Sequence, residues 1–258
     1  MRAARWKLGF ALAALMACGD EKEHHDPLHV DRGDLKITWN APQDAAARTL
    51  SGALREGRLF EKIAEGLDAT LKFPRDLPVR HTACGEENAF YDPNTGALSM
   101  CYELLEKISV VAYDDQATEQ ELGERVVGTW MFVFFHELGH GLIDMYDLPI
   151  TGREEDSVDD FSTVLMVQAD LADYALHAAS FWAATGSDMV SELDFADEHS
   201  LNQQRFYSIL CLVYGSNPRQ YQHLVSQGIL PESRAARCPA EFQQKSEAWS
   251  QLLEPWSK

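Results

Sequence analysis

The sequence predicts an α+β fold: a small N-terminal β-sheet and hairpin region with helices, then a long helix carrying His136-Glu137-Leu138-Gly139-His140, then an all-helical C-terminal half. Three observations predict it. Short alternating runs, two of them joined by a strong turn signal, occur before position 101. A long apolar stretch with helical character follows at 119–146, and beyond Pro149 only helical periodicity recurs. The chain of 258 residues, 45% hydrophobic and 24% charged, falls in the globular class and is long enough for one sizeable domain.

The first strand is Leu35-Lys36-Ile37-Thr38-Trp39, an alternating run closed by Pro42. Residues 43–69 carry Leu50, Leu54, Leu59, Ile63 and Leu67 at spacings of four or five, an amphipathic helix broken near Gly57. Residues 70–82 are extended but interrupted by Pro74 and Pro78, which predicts an irregular or edge strand. Apolar runs at 88–91 and 97–100 flank Asp92-Pro93-Asn94-Thr95-Gly96, a strong turn signal, and read as a β-hairpin. A helix over 102–112, a break at 114–117 and a helix over 119–146 follow, the last with an apolar centre at 126–135 and an end enforced by Pro149. The second half reads as helices over 154–184, 201–214, 220–227 and 239–253, with no internal repeat.

The N-terminus departs from this globular pattern. Arg2, Arg5 and Lys7 precede a ten-residue apolar run from Leu8 to Ala17, the layout of a secretory signal and too short to span a bilayer. Leu15-Met16-Ala17-Cys18 resembles a bacterial lipobox, which implies lipidation of Cys18 and a membrane tether without insertion. The expected organisation is a signal over 1–18, a charged tether over 19–33 and a folded domain over 34–258, placing the protein in the bacterial cell envelope.

Cysteine parity agrees with export, since Cys84, Cys101, Cys211 and Cys238 remain once Cys18 is assigned to the signal. Cys84 and Cys101 flank the hairpin-like stretch and Cys211 and Cys238 a helical one, so the expected bridges are Cys84–Cys101 and Cys211–Cys238. The net charge of −19 becomes −22 without Arg2, Arg5 and Lys7, and such acidity argues against nucleic-acid binding.

The chemistry-bearing motif is His136-Glu137-Leu138-Gly139-His140. Residues four apart share one helix face, so His136 and His140 can present two imidazoles to a single Zn2+ ion. Glu137 stands beside the first ligand, and in H-E-x-x-H hydrolases that carboxylate is the general base for a water acidified by zinc. Trp130-Met131-Phe132-Val133-Phe134-Phe135 would bury the motif. Gly139 and Gly141 cost about 1 kcal/mol each against alanine, which close backbone approach beneath the metal would justify.

A catalytic zinc needs a third protein ligand. Tyr146 stands where the metzincin pattern would place a histidine, so the search moves to the acidic run at 154–160. Glu155 is the preferred ligand, because Asp159 then falls one turn later on the same face and can accept a hydrogen bond from His136. Glu154 and Asp156 are the alternatives. Glu154 has Val158 four residues on, whereas Asp156 has Asp160, and Asp144 and Asp147 are weaker candidates.

His136-Glu137-x-x-His140 followed by Glu155-x-x-x-Asp159 resembles the gluzincins, the thermolysin-like metallopeptidases, with a short interval of 14 residues between His140 and Glu155. A wider resemblance, to an uncharacterised bacterial family of putative metallopeptidases, rests on Cys84-Gly85-Glu86-Glu87-Asn88-Ala89-Phe90-Tyr91, Cys101-Tyr102-Glu103-Leu104 and Glu154-Glu155-Asp156. It implies a zincin-like fold and a peptide or protein substrate. It also implies an edge strand to hold extended substrate, for which Asn88 to Tyr91 is the candidate. Tyr207, Tyr214 and Arg205, on one later helix, are candidates for transition-state contact. A non-catalytic zinc-binding envelope module and a non-peptidase hydrolase of amides or esters are the competing readings. The intact Glu137 favours catalysis, and peptide chemistry follows from the resemblance.

Overall fold

The computed structural model describes residues 29–186 and 199–258. The signal segment, Cys18 and the first part of the expected tether lie outside the described residues. The described residues form two compact units, one drawn from those up to Lys107 with Gly141–Leu148 and Ser250–Lys258, the other from Ile108–His140 and those between Pro149 and Trp249.

The first unit holds the sheet, β1 (Leu35–Trp39), β2 (Leu77–Thr82), β3 (Ala89–Asp92) and β4 (Ala97–Cys101), in the order β1-β2-β4-β3. β1 and β4 both run parallel to β2, whereas β3 pairs antiparallel with β4 through the expected hairpin. Two helices, α1 (Ala45–Glu56) and α2 (Leu59–Thr70), connect β1 to β2. Asp44 caps α1 by accepting from the Ala47 amide at 2.7 Å. The expected break falls at Gly57 and Arg58, where Arg58 adopts a left-handed φ of 49°. Phe60, Ile63, Leu67, Phe73, Leu77 and Leu98 form the buried centre of this unit, each contributing about 1.5–3 kcal/mol by leaving water. Arg32 and Gly33, at the end of the expected tether, donate their amides to the Phe73 carbonyl.

The proline-bearing segment corrects the expectation of an edge strand, because β2 lies inside the sheet. The register explains how Pro78 is tolerated. The Leu77 amide donates to Asp34 on the β1 side, so the missing N–H of Pro78 faces the β4 side. There the ladder begins only at Val79, opposite Leu98, and no bond is lost.

The helices α3 (Tyr102–Ala112) and α4 (Glu119–Tyr146) agree with their predicted extents. By length and composition α4 could cross a membrane, but 83% of its most apolar window is buried, which marks it as a core helix. The second half is helical among the described residues: α5 (Glu154–Gln168), α6 (Ala172–Thr185), α7 (Asn202–Ser216), α8 (Gln222–Ser226), α9 (Glu232–Ala235) and α10 (Cys238–Leu253). The single helix predicted over 154–184 is in fact α5 and α6, parted at Asp170, whose φ is 59°. Aspartate tolerates the left-handed region better than most residues, so the chain turns without glycine or proline. The helices α5, α6 and α7 pack on one another. Both expected disulfides are formed, Cys84–Cys101 in the first unit and Cys211–Cys238, joining α7 to α10, in the second.

Candidate metal centre

The centre lies within the second unit, on α4 and α5. His136 and His140 occupy successive turns of α4 with ring centroids 5.0 Å apart, behind the fully buried Trp130, Phe132 and Phe134. The first turn of α5 supplies Glu154, Glu155 and Asp156, carboxylates favoured there by the positive end of the helix dipole. The two helices meet closely at Gly139. A Cβ there would sit 2.8 Å from Val158 Cγ1 and 2.9 Å from Val158 Cβ, so only glycine permits this approach. Gly141 has no such reason, since a Cβ would meet its neighbours at 3.4 Å or more.

Glu155 projects between the two imidazoles. Its Oε2 lies 3.1 Å from His136 Nε2 and its Oε1 lies 3.3 Å from His140 Nε2. The donor atoms of His136, His140 and Glu155 all fall within 4.8 Å of one another. A tetrahedral zinc with bonds of about 2.0–2.1 Å spaces its ligand atoms roughly 3.4 Å apart, so the donor set fits such an ion. Glu155 Oε2 is itself buried, with the His136 and His199 Nε2 atoms each 3.1 Å away.

Both histidines are oriented from behind by carboxylates. Asp159 Oδ1 lies 2.8 Å from His136 Nδ1, and Glu154 Oε1 lies 2.7 Å from His140 Nδ1. A proton on each Nδ1 leaves each Nε2 with its lone pair toward the centre. Asp159 is in turn gripped by Arg205, whose Nε donates to Oδ2 and whose Nη2 donates to Oδ1, each at 2.7 Å. The guanidinium lies 3.7 Å from the Trp182 ring centroid, so this buried cation has both an anion and an aromatic face.

The electrostatics follow from burial and pairing. Burial opposes a charge on His140, but the hydrogen bonds of Glu155 and Glu154 outweigh it and push its pKa up to about 9. His136 is raised against the same burial by Asp159 and Glu155. Burial would raise Glu155, yet His136, His140 and His199 hold it far below the usual carboxylate range. Asp159 is likewise lowered despite burial, by the Arg205 charge and His136. Asp160 goes the other way, pushed up to about 6 by burial even with Lys245 beside it. Glu137 is 6% exposed, and its charge helps raise both His136 and His140.

The remaining candidates separate. Glu154 serves as the partner of His140, and Asp156 accepts from the Ser200 hydroxyl at 2.6 Å. Tyr207 lines a cleft of about 440 Å³ with Asp159, Asp160, Arg205, Arg234 and Lys245. Tyr214 is half-buried two turns further along α7. Asn88 and Tyr91 belong to the first unit, where β3 forms a sheet edge. There Tyr91 donates its hydroxyl to Asp144, which also pairs with Arg75, so Asp144 ties the end of α4 to the hairpin. Asp147 lies just past α4 with a φ of 51°. His199, which the sequence did not single out, brings its Nε2 within 3.1 Å of Glu155 Oε2. It lies 44 residues beyond Glu155, where no helical spacing can signal a contact.

Comparison with known proteins adds one match. A family model described as "Putative metallopeptidase" matches residues 39–253, a span containing both units' secondary structure almost entirely. No curated protein and no solved structure matches the chain.

Proposed function

The chain belongs to this metallopeptidase family, and from that premise we propose that it is a zinc-dependent peptidase working at His136, His140 and Glu155 with Glu137 as general base. The observation that carries the reading is the convergence of those three side chains on one point, with an intact glutamate beside the first of them. His136 and His140 would hold the ion through Nε2 and Glu155 through a carboxylate oxygen. Zinc bound there supplies Lewis acidity, acidifying a water and polarising a peptide carbonyl.

The protein's own groups supply the rest. Glu137 takes a proton as water attacks the carbonyl carbon and returns it to the departing amine, so a single carboxylate serves both halves of the reaction. Asp159 and Glu154 keep the two imidazoles in one tautomer, and Arg205 keeps Asp159 ionised in its buried position. The protein acts in the bacterial envelope, held by a lipid on Cys18, a reading supported by the N-terminal sequence pattern.

Metal analysis of the purified protein beside His136→Ala, followed by incubation with a mixed peptide library with and without chelator, tests this. The reading expects one zinc per chain, lost in the variant, and cleavage abolished by the chelator. Cleavage that survives both treatments overturns it.

A further inference from the structure

His199 lies just before α7, and three contacts bring its short segment to the start of α5. Its Nε2 approaches Glu155 Oε2 at 3.1 Å, its carbonyl accepts from Arg153 Nη1 at 3.5 Å, and the neighbouring Ser200 hydroxyl donates to Asp156 Oδ1 at 2.6 Å. The His199 ring is stacked with that of His136, tilted by 16° with centroids 6.3 Å apart.

We propose that His199 is a positioning residue of the metal centre, holding the Glu155 carboxylate so that it ligates through one oxygen while the other is fixed by the His199 Nε2–H. The inference rests on the zinc reading above. The argument turns on which nitrogen can donate. With His136 Nδ1 committed to Asp159 and His140 Nδ1 to Glu154, both Nε2 atoms offer lone pairs to the ion and have no proton for Glu155. Of the three imidazoles around this carboxylate, His199 is the one outside the ligand set, with its Nε2 3.1 Å from Oε2, and so the one left to donate. The donor atoms that lie within 4.8 Å of one another are those of His136, His140 and Glu155, and His199 is not in that set. The role matters because a freely rotating carboxylate can switch between one-oxygen and two-oxygen ligation, and the second mode occupies the position a catalytic zinc keeps for water.

The test compares full-length wild type with His199→Ala and His199→Gln, using zinc itself as the probe in competition with a chromophoric chelator. A glutamine amide reaches the position of Nε2 and donates a proton there, so it replaces the hydrogen bond without the imidazole. Zinc affinity is expected to fall about 10- to 100-fold in His199→Ala and to recover most of that loss in His199→Gln. His223→Ala, on the surface of α8, is the control and leaves affinity unchanged. Wild-type affinity in His199→Ala, or equal losses in Ala and Gln, overturns the inference while leaving the zinc reading intact. Absence of zinc binding in wild type overturns both.

Discussion

Replacing Gly139 with alanine tests how the α4 and α5 helices build the centre. The added methyl would lie 2.8–2.9 Å from two Val158 carbons, against an ordinary carbon–carbon contact of about 3.5–4.0 Å. Relief requires α5 to withdraw by roughly 1 Å, because one of the two atoms is Val158 Cβ and cannot rotate away. Overpacking of this kind costs about 1–3 kcal/mol, offset by about 1 kcal/mol of helix propensity, so the metal-free protein should lose at most about 2 kcal/mol. Val158 sits three residues after Glu155 and directly before Asp159. A shift of that size therefore moves Glu155, the proposed third ligand, and Asp159, the partner of His136, together, and zinc affinity should fall by about tenfold or more. Denaturant unfolding of the metal-free protein and chelator competition separate the two effects. Gly123→Ala, on the same helix with nothing within 4 Å of the new methyl, should gain about 1 kcal/mol and bind zinc normally. If Gly139→Ala also gained stability and bound zinc as wild type does, the close approach would not be what the glycine serves.

Two further outcomes are expected. Arg205→Ala leaves the buried Asp159 carboxylate without its bidentate partner and should cost about 3–5 kcal/mol in urea unfolding, whereas Lys107→Ala, which breaks the exposed pair with Glu87, should cost under about 1 kcal/mol. The pH dependence should reverse with zinc. His140 is raised from 6.5 to about 9 in the folded protein, so its contribution is fully present below pH 6.5 and is lost as pH rises through about 9. The metal-free protein should therefore become less stable across that window, while zinc affinity rises with pH because the ion displaces the protons. Thermal unfolding and chelator competition at pH 6, 7.5 and 9 check both signs.

Much of the fold was legible because its signals are local. The strand at Leu35–Trp39, the hairpin around Asp92 to Gly96 and the extent of α4 follow from alternation, turn residues and an apolar run, each read within a dozen or so residues. The interior place of β2 was not legible, since Pro78 argues for an edge and only the register with β1 and β4 shows why its missing amide is harmless. The turn at Asp170 was hidden because apolar helical periodicity continues through it. The site divides in the same way. His136 and His140, and likewise Glu155 and Asp159, share a helix face four residues apart, so spacing alone relates them. Arg205 grips Asp159 across 46 residues and His140 meets Glu154 across 14, pairings created by helix contact that no single-helix spacing encodes.

The central claim is that Glu137 performs proton transfer at an intact zinc centre. Glu137→Gln keeps the size of the side chain and removes its basicity, so the measurement is zinc content and peptide turnover of that variant beside wild type. The account predicts one zinc per chain in both proteins and turnover reduced by about 10²–10⁴-fold in the variant. Undiminished turnover in the zinc-loaded variant would contradict it.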